Sequence, residues 1–181
     1  SITARAVEPL SENTAVLAQR RRDLPSPQSA GPPLVQFMSL PYLGGTGTGS
    51  GNRIAVATHP WQGPMGLFVL SDDGDHTLVQ TIEQQATIGA LNATLPSGDG
   101  SRWDRANTVD VTLFGGTLSS SSRAAVLDGA NAAAIQNPSG SWEVLQFESA
   151  ELTGERRYSL SGLLRGQAGT EPEAEIPAQT G

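Results

Sequence analysis

Two histidines, His59 and His76, and no cysteine make up the chain's stock of classical bases and soft metal ligands. A Ser–His–Asp hydrolase presents its serine on a strained Gly-x-Ser-x-Gly elbow beside the base. The nearest string, Thr48-Gly49-Ser50-Gly51-Asn52, lacks that spacing. His59 precedes Pro60-Trp61, and His76 sits on the shoulder of a turn, so both read as surface or strand-edge residues. Without cysteine there are no thiol nucleophiles, disulfides or Cys-based zinc sites. A glycosidase needs two carboxylates facing each other about 5 Å or about 6.5–9.5 Å apart. Here Asp72, Asp73, Asp75 and Asp99 fall in turns, where aspartate caps its own backbone, and Glu143, Glu148 and Glu151 lie along one strand pattern. Asp72-Asp73-Gly74-Asp75 lacks the loop spacing and terminal glutamate of a calcium site and reads as a tight turn. The glycine run Gly44 to Gly51 would need a following helix and a lysine to cradle phosphate; the chain has no lysine, and Asn52 to Ala57 reads as a strand. These residues imply no catalytic group, no metal site, no cofactor and no enzyme activity.

One constellation keeps a binding chemistry. Sugar recognition stacks an aromatic face on the apolar side of a pyranose and offers carboxylate, amide or guanidinium groups to its hydroxyls. Arg102, Trp103, Asp104 and Asn107 have that composition, and Trp61, between Pro60 and Gln62, is a second candidate aromatic. The plainer reading makes Trp61, Trp103 and Trp142 core pieces, each burying about 200 Å². The triplet Arg20-Arg21-Arg22 reads as a solvated charge cluster.

The elements that must position such residues are short. Glycine and proline supply 33 of 181 residues, and Leu, Ile, Val and Phe supply 39, so the core is thin and the loops many. The net charge is −7, with every basic residue an arginine, which disfavours nucleic acid as a partner. No apolar run approaches the roughly 18 residues of a membrane span. The chain opens without methionine or a leader pattern and reads as a piece of something longer. Residues 1–33 read as a strand (Ile2 to Val7) followed by a Pro/Arg-rich linker. Strand patterns then recur at Leu34–Met38, Ile54–Thr58, Met65–Leu70, Thr77–Ile82, Thr87–Leu95 and Thr108–Phe114. Asp72–Asp75 predicts a hairpin and Asp128-Gly129 a turn, with a short helix over Ala130–Ile135 as the alternative. Trp142–Phe147 and Arg157–Leu164 pair across Thr153-Gly154-Glu155. The fold class is mainly β, an antiparallel β-sandwich or barrel-like module with long loops over residues 34–169. Residues 170–181, acidic and proline-containing, read as a disordered tail.

Leu160-Ser161-Gly162-Leu163-Leu164-Arg165-Gly166-Gln167-Ala168-Gly169-Thr170-Glu171 resembles a signature of tail-tip proteins in long-tailed phages and gene transfer agents. As residues alone, it reads as a strand leaving its sheet at Gly166, with Arg165 free to pair with Glu171. Ile2 to Pro9, Trp61-Gln62-Gly63-Pro64, Arg102-Trp103-Asp104, Leu127 to Ala133 and Trp142 to Phe147 are similar to other pieces of that family in order. The likeness is to the C-terminal region of the large tail-tip (baseplate, host-specificity) protein. It implies a structural virion component at the tip of a phage-like tail, assembled in the bacterial cytoplasm and released from the cell. Implied partners are other tail-tip and baseplate proteins, with a host-surface polysaccharide or receptor for a glycan-binding alternative. The glycosidase-like barrel of longer members is absent, so its activity does not carry over.

Overall fold

The computed structural model describes residues 31–41, 43, 50–100 and 102–181. The strand expected at Ile2–Val7, the linker, the arginine triplet and most of the glycine run lie outside them. The predicted class holds: the chain is mainly β, with an antiparallel sheet curled into a half-barrel. Two strands, β1 (Leu34–Pro41) and β2 (Ser50–Ala57), form one antiparallel ribbon. A second ribbon, β3 (Met65–Leu70) with β4 (His76–Ile82), closes through the predicted Asp72–Asp75 turn, where Gly74 adopts φ +90°. The main sheet has six strands. Its path runs β5 (Ile88–Leu91), β7 (Val109–Gly115), β10 (Arg157–Leu164), β9 (Trp142–Gly154), β8 (Ala132–Gln136), and the two-residue β6 (Trp103–Asp104) pairs with the end of β10. Among the described residues no helix is long and apolar enough to cross a membrane.

The core comprises Leu95, Val109, Ile135, Leu145, Phe147, Leu160, Leu163 and Ala178. Leu160 and Leu163 stand three apart, and strict alternation would send them to opposite faces. Gly162, at φ +65° in the middle of β10, restores both to the core. A side chain there would strike Glu148, its Cβ lying 2.6 Å from Oε2. The phase shift also aims Arg165 inward, onto the core side of the sheet.

Three expectations are corrected. Residues 170–181 are packed rather than disordered: the short helix α2 (Glu171–Ala174) buries Ala174 completely, and Ala178 pairs with Leu95 through two backbone hydrogen bonds of 2.9 and 3.0 Å. The expected strand Thr87–Leu95 is shorter, because Asn92–Thr94 bends away before Leu95 bridges to Ala178. The alternative helix over Ala130–Ile135 does not form, since Ala132–Gln136 is strand β8; the helix α1 precedes it at Arg123–Leu127, with Ser122 Oγ accepting from Ala125 N at 3.2 Å.

Candidate functional site

Arg165 is fully buried, and its partner is Glu143 rather than the expected Glu171. Its Nε donates to Glu143 Oε1 at 2.5 Å and its Nη2 to Oε2 at 2.8 Å, a planar fork on a carboxylate. Nη1 donates to the carbonyl of Pro96 at 3.0 Å and lies 3.6 Å from Asp104 Oδ2. The backbone N–H of Gly166 adds a further bond to Glu143 Oε1 at 3.1 Å. One guanidinium therefore ties together β9, the loop after Leu95, and β6. Gly98 makes this possible, since a Cβ there would stand 2.6 Å from Nη1.

The residues that follow Arg165 and further residues of β9 complete the junction. Gly166 turns the chain in the left-handed region, at φ +58°, so β10 ends and the backbone folds back. Thr170 Oγ1 then accepts from Val144 N at 2.9 Å and donates to Gln167 O at 2.8 Å, capping β9 where β10 has left it. Gln146 Nε2, also on β9, donates to the carbonyls of Val126 and Ala130, at 2.6 and 2.8 Å, and holds α1 in place.

The predicted sugar patch lies beside this junction and is already engaged with the protein. Asp104 accepts from Ala106 N, Asn107 N and Asn107 Nδ2 at 3.1, 3.0 and 2.8 Å. Burial raises the Asp104 pKa, but the Asn107 side chain, the two backbone donors and the Arg165 charge outweigh it, leaving the carboxyl below its ordinary value. Trp103 is half-buried and carries the Arg123 guanidinium 4.8 Å from its ring centroid. Arg102 is exposed and pairs with Asp99 at 3.4 Å, while Arg105 approaches Glu148 at 3.9 Å. Trp61 is half-buried on the segment joining β2 to β3, after the cis His59–Pro60 bond. Arg102, Trp103, Asp104 and Asn107 are thus brought together as one folded turn, with Asp104 and Asn107 bonded to each other.

Among the described residues no three His, Asp or Glu side chains converge as a metal site. The β3–β4 ribbon is uncovered among the described residues. Phe68, Val69, Leu70, Leu78 and Val79 are each more than half exposed, and beyond each other β3 and β4 pack closely with no other strand or helix among the described residues. Phe68 and Leu78 are cross-strand partners, and the Phe68 ring covers Gly66. The turn at the tip carries Asp72, Asp73 and Asp75, and neither arginine nor lysine occurs from Ile54 to Ser101.

In the sequence alone Glu143 is one more strand carboxylate. A signal was present: Glu143, Leu145 and Phe147 share one strand face, so a charge on the core side demanded a buried partner. No curated protein matches the chain. A family model described as Rcc01698-like, C-terminal matches residues 86–181, a span that holds the whole six-stranded sheet, the Arg165–Glu143 junction and α2. With over half its length in that match, the chain belongs to the Rcc01698-like C-terminal family.

Proposed function

We propose that this chain is a structural, non-enzymatic module of a phage-like tail-tip baseplate protein, contributing to tail assembly and host-cell attachment. The observation that carries the reading is the β3–β4 ribbon. An isolated two-stranded ribbon is marginal in water, and this one presents apolar side chains on both faces without a covering layer among the described residues. Contiguous apolar surface of that kind marks a protein contact. The partner it fits is a neighbouring tail protein with an apolar groove and a basic rim, complementary to Asp72, Asp73 and Asp75 at the tip. The Arg165 junction suits a module under mechanical stress, since it locks the three segments that meet at the end of the sheet. The resemblance of the Leu160–Glu171 run to tail-tip proteins supports the same placement.

Immunogold electron microscopy of phage-like particles from a producing strain, with antibody raised against this chain, tests the placement. Label is expected at the distal end of the tail. Label confined to the capsid, or particles free of the chain, would overturn the proposal.

A further inference from the structure

A cleft of about 740 Å³ opens between β1, the β8–β9 turn and the segment that follows Gly166. Its size falls within the roughly 300–1,000 Å³ of small-ligand sites. Two aromatic side chains line it: Phe37, 67% exposed on β1, and the half-buried Trp142 at the start of β9. Ser39, Gln136, Ser141 and Glu173 supply polar groups beside them.

These walls are held rigidly. Asn137 Oδ1 accepts from Ser139 N, Ser139 Oγ and Ser141 N at 3.1, 2.6 and 3.2 Å, fixing the β8–β9 turn. Its Nδ2 donates to Glu173 Oε2 at 2.6 Å, which fastens that turn to α2 and leaves Glu173 Oε1 to accept from a ligand. Gln136 Nε2 donates to Gly140 O at 3.1 Å, which leaves its amide oxygen available. The third wall contains Ala168 at φ +57° and Gly169 at φ +85°. A left-handed alanine is sterically strained, and such strain persists where the surroundings over-determine it.

The geometry points to this cleft as a binding site for a neutral pyranose. Phe37 and Trp142 offer apolar faces to the ring's C–H side, and the Gln136 amide oxygen, Glu173 Oε1 and the two serine hydroxyls offer partners to its hydroxyls. A net charge of −7 and the Glu173 carboxylate in the wall select against anionic sugars. Unlike Trp103, neither cleft aromatic has a guanidinium stacked on its ring among the described residues. Such a site is independent of the assembly proposal: it needs only the cleft, and applies whether or not the chain enters a particle.

Saturation-transfer NMR on the whole chain tests it, with the methyl glycosides of mannose, glucose and galactose as probes at millimolar concentration. Transfer to ring protons of at least one glycoside is expected, with a shift in tryptophan emission. Phe37→Ala and Gln136→Ala each weaken binding about five- to tenfold, whereas Phe68→Ala on the β3–β4 ribbon leaves it unchanged. Retention on immobilised mannan, dextran or galactan, competed by the matching glycoside, would identify a polysaccharide as the source; glycoside binding without retention would identify the free sugar. Folded chain that gives no transfer with any of the three glycosides, or transfer undiminished in Phe37→Ala, would overturn the inference.

Discussion

Replacing Arg165 by methionine keeps most of its volume and removes its charge. Glu143, 2% exposed, would then be a buried carboxylate that has lost both fork bonds, with only the Gly166 N–H left to it, and Pro96 O would lose its donor. Breaking a buried pair by deleting one partner costs about 3–5 kcal/mol. For a chain of this size each kcal/mol lowers the midpoint by about 2–4 °C, so Arg165→Met is expected to lose about 6–20 °C. Urea and thermal unfolding followed by circular dichroism read this directly. Replacing both charges by apolar groups is commonly near neutral, so Arg165→Met/Glu143→Leu should recover at least about 2 kcal/mol relative to the sum of the singles. A loss below about 1 kcal/mol for the single variant, or losses that simply add, would refute the junction as the lock of the sheet end.

Other consequences follow from neighbouring groups. The folded pKa of Asp104 is depressed, so its contribution is fully present above the unfolded value and fades as pH falls through the folded one; Asp104→Asn should flatten the acid limb of a stability-versus-pH curve below about pH 4, and an unchanged limb would contradict this. Gly162→Ala should cost at least about 1–2 kcal/mol by urea unfolding, from the left-handed backbone and the Glu148 contact; a neutral result would refute the phase-shift account of β10. Deleting residues 170–181 removes the Thr170 cap, Ala174 and Ala178, and should lower stability by about 2–4 kcal/mol; an unchanged midpoint would mean these residues do not pack.

The legible parts of the fold were those with local causes. The Asp72–Asp75 hairpin follows from a glycine that accepts positive φ, and the β9–β10 pairing from two alternating patterns flanking a turn. The junction was not legible, because Arg165 and Glu143 are separated by 22 residues while Glu171 offered a nearer carboxylate. The tail misled because acidity and proline signal disorder, whereas its packing rests on two alanines and a threonine with no periodicity of their own. β6 spans two residues, too few for any pattern. For the candidate site, local sequence pointed to Arg102–Asn107, where spacing supplied the composition. The cleft gathers Phe37, Gln136, Trp142 and Glu173 from segments far apart in the chain, which only the fold brings together.

The most direct test of the assembly proposal is incorporation of a ribbon variant into particles. Phe68→Thr/Leu78→Thr removes apolar surface from side chains already more than half exposed and keeps a strand-favouring residue on both strands, so the purified chain should keep its unfolding midpoint within a few degrees. Quantitative mass spectrometry of purified particles from cells carrying this variant should show the chain depleted at least about tenfold relative to wild type, while its level in the cells is unchanged. Particles that incorporate the folded variant at the wild-type level would contradict the ribbon as the docking element.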